Sequence, residues 1–548
     1  MSYNTFFTPT ALALAVSLAL PVAAQTPPDA GRILQDMMPQ TIQPLAPSVD
    51  FRVEGQPLTE TDPGGMRVEL TGILFKDNSV YSTDELMEVL GDVINQEYDL
   101  AGFRQLANQV SLHYRNTGYP FARAIIPAQN MSGGVLNIQV IEGRYGKVGT
   151  SGDETIAADA LPFLNDLKPG SVIESTQLES STLLLGDLAG VRVVPVMRPS
   201  AEVGAGDLDV QVFEEPRFTG SIGFDNQGSR FSGEYRGQVN INYSRLLMLG
   251  DELSARLLYT NEDTWLGNLS YSYPLGYSGL KGIVSYAHTD YTLGNLQPER
   301  QGVGYARVAS AGLSYPLLRS QRSNLVLSGS FQHKRFEDET SLSRELRGTD
   351  KYRTNAIPVT LQFDHRDSLL GGGVTYGAIT LTHGEIKLGN PSFLKEGGKY
   401  SFTKTNLQTA RVQRLTNQLT LFANVSGQYA DKRDLDGSES FSLGGPNGVR
   451  AFPTGEGSDS RGWLAQLEMR YAIDAHFSPY AFYDAGSTPR GGVDSNKRNL
   501  AGAGIGLRYN RDAFSMDFSS AWKVQGGDAN SDDKQRDPRV WFTMNYSF

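Results

Sequence analysis

Residues equipped for bond-making chemistry are scarce in this chain and stand far apart. Six histidines, His113, His288, His333, His365, His383 and His476, share no metal-ligand spacing, and there is no cysteine, so disulfides and thiolate metal sites are excluded. No G-x-S-x-G, G-x-x-x-x-G-K-[ST] or H-E-x-x-H run occurs, which removes the signatures of a serine hydrolase, a P-loop nucleotide site and a zinc hydrolase. The acidic run GGDANSDDKQRD (residues 526–537) lacks the twelve-residue calcium ligand order that ends in Glu, and reads as a solvated loop. The chain is therefore expected to hold no catalytic residue, no metal and no cofactor. What remains is a binding chemistry. FSLGGPNGVRAF (residues 441–452) carries Arg450 behind Gly444, Gly445 and Gly448, inside a long polar segment. Glycine at this density permits a loop that turns sharply and fits a confined space. By itself Arg450 reads as a solvated loop guanidinium, and only its surroundings can make it more than that.

The elements that would position this loop follow from composition and pattern. A net charge of −11 with no Lys/Arg cluster excludes nucleic acid as a partner. Residues 11–20 are apolar and run into Pro21, Val22, Ala23 and Ala24, so a secretory signal peptide cleaved after Ala24 is expected, although residues 1–10 hold no Lys or Arg. Beyond it no stretch approaches the ~20 apolar residues of a membrane helix, so a membrane-spanning form must be a barrel. Residues 29–38 place Ile33, Leu34, Met37 and Met38 on one helical face, with Asp29 as cap and Pro39 as stop. A proline-rich extended segment to residue 65 follows.

From Arg67 the order strand, helix, helix, strand, strand is expected over residues 67–75, 83–94 (capped by Thr83), 100–116, 122–126 and 135–141. It recurs more faintly from Lys147 to Phe213, giving two small α+β modules in tandem. After Pro216 helical periodicity stops and strict alternation takes over. Tyr235, Gly237, Val239, Ile241 and Tyr243 oppose Arg236, Gln238, Asn240, Asn242 and Ser244, and Trp463, Ala465, Leu467 and Met469 oppose Gln466, Glu468 and Arg470. About sixteen such strands are expected between residue 218 and the C-terminus, each near the ~10 residues of a tilted span. Their connections tend to alternate, short near residues 247–250 and 416–417, long at 337–353, 386–403 and 431–461. Tight turns on one rim and long loops on the other, with an apolar face to lipid and a polar face to a wet lumen, describe an outer-membrane barrel.

These parts resemble the outer-membrane transporters of two-partner secretion, the TpsB or ShlB/FhaC/HecB-like family. The residues that carry the resemblance are GYPFARAIIPAQN (118–130), GVLNIQVIEGR (134–144), FSLGGPNGVRAF (441–452) and YAFYDAG (480–486). The resemblance implies a mainly β architecture. Its parts are a signal peptide (1–24), a plug helix (25–39), a linker (40–66), two POTRA domains (67–144 and 145–216) and a transmembrane barrel (217–548). It also implies that the 441–452 loop folds back into the pore and that Phe482 and Asp484, in an F-x-D motif, hold Arg450 there; alternation separately puts Phe482 and Asp484 on one face and Tyr483 on the other. Where relatives read Val-Arg-Gly-Tyr, this chain has Val449, Arg450, Ala451 and Phe452. The implied function is translocation of an unfolded partner exoprotein, one with an N-terminal secretion domain, from periplasm to cell surface. The implied protein is a monomer embedded in outer-membrane lipid, driven by folding of the cargo outside. A barrel-assembly factor and a passive porin are the alternatives.

Overall fold

The alternation that begins at Phe218 closes into a barrel of sixteen antiparallel strands, from Phe218–Asp225 to Arg539–Ser547, in the computed structural model of the chain. Residues 28–38, 42–45, 62–131, 133–295, 302–340, 350–389, 398–433, 435–489 and 497–548 are described; the expected signal peptide and most of the expected linker lie outside them. The last strand pairs with the first, Thr543 opposite Asp225 and Ser547 opposite Ser221, and the rings of Phe548 and Phe218 lie 5.9 Å apart. Closure leaves the sheet no open edge, which is what lets it cross lipid. Outward positions carry exposed Leu269, Tyr286, Phe331, Ile357, Trp463 and Tyr483.

Two expectations about the barrel need correction. Residues 337–353 and 386–403 are not loops throughout, because five consecutive strands, Gly302–Arg319 to Lys399–Arg414, run 16 to 18 residues. Phe336 pairs with Tyr352 and Glu337 with Lys351 beyond the ~10-residue span. Outside the bilayer the outward face meets water and carries Arg335, Glu337, Lys351 and Arg353, so the ladder continues while the apolar-outward alternation that announces it fades. The connection between Thr260 and Trp265, on the same far rim, is only four residues, so length follows rim imperfectly.

Inside the barrel lies helix α1 (Ala30–Met37), whose Asp29 side chain accepts from the Arg32 N–H at 2.8 Å. Its face of Ile33, Leu34 and Met37 is buried against Leu258, Leu266, Tyr291, Ala306, Phe336 and Tyr352 of the inner wall, with Met38 packed beside them. The lumen is therefore not polar all round: an apolar strip on it receives an eight-residue helix that would be marginal alone in water. Residues 42–45 then follow the wall toward the module-side rim. The Leu45 N–H donates to Asp364 Oδ1 at 3.2 Å and the Gln362 amide donates to the Gln43 carbonyl at 3.2 Å.

Both modules share one topology. In the first, Gly72–Lys76 lies parallel to the central strand Val135–Ile141, which pairs antiparallel with Arg123–Ile125, against helices α2 (Thr83–Leu90) and α3 (Leu100–Asn116). The expected single strand over 67–75 splits after Glu69, because Val68–Glu69 pairs with Glu97–Tyr98 instead. The cap of α2 is Ser82 rather than Thr83, in a reciprocal box with Glu85, and Gly91 at φ 73° ends the helix at Leu90. The second module repeats the order with Arg144–Gly152, α4 (Glu154–Ala160), α5 (Ser175–Gly186), Val191–Pro199 and Ala205–Glu214. It grips the near rim of the barrel through Arg319, bidentate on Asp187 at 2.6 and 2.7 Å, and Arg245, 2.7 Å from Glu214.

Candidate functional site

The loop of residues 431–461 leaves the far rim and turns back into the lumen, and its glycines show why the turn needs them. Gly445 sits at φ 108°, closed to most side chains, and a Cβ on Gly448 would meet the Leu443 carbonyl oxygen at 2.0 Å. Val449, Ala451 and Phe452 are fully buried in one cluster with Leu443, Phe482 and Leu500. Ala451 is absent from the positive-φ positions, so the chain does not require glycine there. Phe452 fills an apolar niche whose floor is Gly526, where a Cβ would approach the ring's Cζ to 2.8 Å.

Arg450 is buried at the loop tip. Its Nε and Nη2 donate to the two oxygens of Asp484 at 2.8 and 2.6 Å, its backbone N–H to Asp484 Oδ2 at 3.1 Å, and its Nη1 to Glu468 Oε1 at 2.6 Å. The guanidinium carbon lies 3.5 Å from the centre of the Phe482 ring, and the Arg450 carbonyl accepts from the Trp541 indole at 2.7 Å. Asp484 is wholly buried while its neighbour Tyr483 faces outward. A bidentate, stacked guanidinium satisfied by two carboxylates is a geometry only arginine supplies. Taking away one partner of such a buried pair costs about 3–5 kcal/mol, because the other charge stays behind unpaired.

The loop also holds α1. Arg32 donates to Ser442 Oγ at 2.9 Å and to the Gly455 carbonyl at 2.5 Å, and the Gln35 amide donates to the Ser440 carbonyl at 2.7 Å. Lys334 and Lys404 converge on Glu439 at 2.6 and 2.8 Å, tying the loop's base to the wall. Although burial works against its charge, these two ammonium groups hold the Glu439 carboxyl down at about 2. Beneath the loop tip a cavity of about 610 Å³ is lined by Gln35, Asp36, Gly448, Arg450, Gln466 and Arg508.

At the start of α1 the balance runs the other way. Burial and the neighbouring Asp29 carboxylate push the Asp436 carboxyl up to about 6. A carboxyl whose pKa is higher when α1 and the loop are docked than when they are apart binds more protons docked, so docking strengthens as pH falls through 6 and weakens as it rises. Between pH 7.5 and 5 the docked state should gain about tenfold, a window in which Glu439 stays ionised. Single-channel recording should show open time falling by that order at pH 5, and Asp436→Asn should weaken the trend, leaving the part that Asp36 on α1, also raised by burial, contributes.

The structure thus brings together Arg450, Phe482 and Asp484, sets Gly444, Gly445, Gly448, Val449, Ala451 and Phe452 around them, and seats Ile33, Leu34, Met37 and Met38 on the opposite wall. Sequence reasoning did not assign Glu468, Trp541 or the Glu439 lysine pair to the site. Glu468 had a signal, since alternation already placed it on the inward face one strand from Asp484.

Comparison with known proteins gives the same architecture. Residues 204–509 match the family model described as haemolysin secretion/activation protein ShlB/FhaC/HecB, and residues 68–143 match the POTRA domain, ShlB-type. The chain is 26% identical over 567 residues to the heme/hemopexin transporter protein HuxB of Haemophilus influenzae strain 86-028NP, covering 98% of each. It is 24% identical over 412 residues to the outer membrane transporter CdiB of Dickeya dadantii, covering 73% of this chain and 72% of that one. Among solved structures, CdiB from Escherichia coli superposes with a TM-score of 0.73 at 21% identity, over 90% of this chain and 93% of that one.

Proposed function

The chain belongs to the haemolysin secretion/activation protein family ShlB/FhaC/HecB, and from that membership we propose how its parts export a cargo. It is an outer-membrane transporter of two-partner secretion, moving a partner exoprotein from periplasm to cell surface, with its POTRA region in the periplasm. The unfolded cargo is received by the first module. Two features support that role: the edge strand Gly72–Lys76 leaves one row of backbone groups free, and Leu74 on it, with Leu100 and Leu112 on α3, is exposed. An extended segment added along such an edge gains backbone hydrogen bonds with little demand on its sequence.

The observation that carries the gating half of the proposal is that α1 and the 431–461 loop occupy the lumen together and are hydrogen-bonded to each other. Cargo moves when α1 leaves and the loop yields, while Arg450 keeps the loop tip registered on Asp484. The protein works as a monomer in outer-membrane lipid and performs no catalysis, its driving force being the folding of cargo outside. The test is co-expression with a candidate exoprotein that carries an N-terminal secretion domain, in a Gram-negative host lacking both, with protease accessibility of the exoprotein on intact cells as the readout. Exposure should require the transporter; exposure without it overturns the assignment of that cargo, and no exposure with both present overturns the export reading.

A further inference from the structure

On the outer wall of the barrel, toward the far rim, three arginines face one another on successive strands. Arg307 is register partner of Arg335, and Arg335 of Arg353. Their orientation is fixed by their neighbours, since Ala306, Phe336, Tyr352 and Thr354 are buried inward and Arg307, Arg335 and Arg353 therefore stand on the exposed face. Like charges directly opposite in a sheet destabilise it, and cross-strand Cβ atoms are only about 5 Å apart. Of the other charges on this face, Glu337 is 3.1 Å from Lys351 and Glu385 is 2.6 Å from Lys399, while Lys387, register partner of Arg353, extends the row by a further cation. Among the described residues no carboxylate lies within ion-pair distance of the three arginines.

Two of them are also aimed. Arg307 Nε donates to His288 Nδ1 at 3.1 Å, and Arg335 Nε donates to His333 Nε2 at 2.9 Å. Each histidine accepts this bond on one ring nitrogen, and its other ring nitrogen faces Asp290 (3.0 Å) or Asn355 (2.7 Å). Arg307 is further braced over the Tyr305 ring, 4.4 Å from its centre. Nε is thus spent on positioning, leaving the two terminal nitrogens of each guanidinium for an external acceptor. The row sits where the lipid-facing belt ends. Tyr286, Phe331 and Ile357 are exposed on the same face, two to four residues nearer the membrane than His288, Arg335 and Arg353, or roughly 7–13 Å along the strand.

We propose that Arg307, Arg335 and Arg353 form a binding site for the phosphate groups of the outer-leaflet glycolipid. Guanidinium forks pair bidentately with phosphate, the row spans roughly 10 Å, the breadth of one headgroup, and it stands at the height where that headgroup meets the barrel. A bound phosphate would cancel the repulsion that the register imposes, anchoring the barrel in its own leaflet.

Native mass spectrometry of the full chain with bisphosphorylated lipid A as probe tests this. Retention of the lipid should fall at least tenfold for dephosphorylated lipid A on the unaltered protein, and by a similar factor for the phosphorylated lipid on the Arg307→Gln, Arg335→Gln, Arg353→Gln triple variant. Inorganic phosphate at equal concentration should not displace it. Equal retention of the dephosphorylated lipid, or undiminished retention by the triple variant, overturns the site, and displacement by inorganic phosphate at equal concentration overturns the lipid as its source. Lipid retention is read independently of export, so failure here leaves the secretion reading standing.

Discussion

Arg450→Ala should reduce export of the cognate exoprotein at least tenfold while the barrel still inserts. The reason lies in what the substitution leaves behind. Asp484 is wholly buried and takes three donors from Arg450, one from the backbone, whereas Glu468 keeps Arg470 and Arg508 at 2.7 and 3.2 Å. Losing the side chain therefore strands one carboxylate, at a cost of about 3–5 kcal/mol, and the loop tip leaves its seat rather than bear it. Arg450→Lys should behave almost as badly, because an ammonium cannot bridge both carboxylates and lie flat on Phe482. Adding Asp484→Asn to Arg450→Ala removes the stranded charge. The double variant should recover thermal stability, read by the heat-dependent shift of the folded barrel on gels, without recovering export. Export restored along with stability would mean that the arginine only compensates a charge and does not register the loop.

The second large effect is expected from α1. Deleting residues 29–38 should raise steady conductance in planar bilayers several-fold, since the helix and its contacts close the far half of the lumen. A single atom should mimic part of this. Gly31 faces the loop so closely that a Cβ would come within 2.7 Å of Asp436 Oδ1 and 2.8 Å of the Ser438 nitrogen. Gly31→Ala should therefore unseat the helix and increase the frequency of open events, although alanine favours the helix itself. Unchanged conductance in the deletion would show that the loop alone closes the pore.

Much of this was legible in the residues, for identifiable reasons. The barrel's strands announce themselves because lipid enforces alternation on every crossing, as at Leu467, Glu468 and Met469. That signal fades where the strand leaves lipid, and the pairing of Glu337 with Lys351 could not be read from pattern. Within the candidate site, Arg450, Phe482 and Asp484 stand out by motif and face. Glu468 and Trp541 join them through strand neighbourhood, which depends on how sixteen strands wrap. The apolar strip under α1 was hidden by a sound rule, that lumen walls are polar, broken only where Leu258, Leu266 and Phe336 receive a helix.

One consequence follows from the path of residues 42–45 along the wall. Helix α1 is joined to the first module by about 30 residues, at most roughly 100 Å of chain, of which residues 42–45 lie along the inner wall. A released helix is thus kept on the module side at an effective concentration set by that leash and not by the amount of protein in the membrane. On the proposed gating, resealing is a first-order event, indifferent to expression level, and each transporter resets without another molecule to close it.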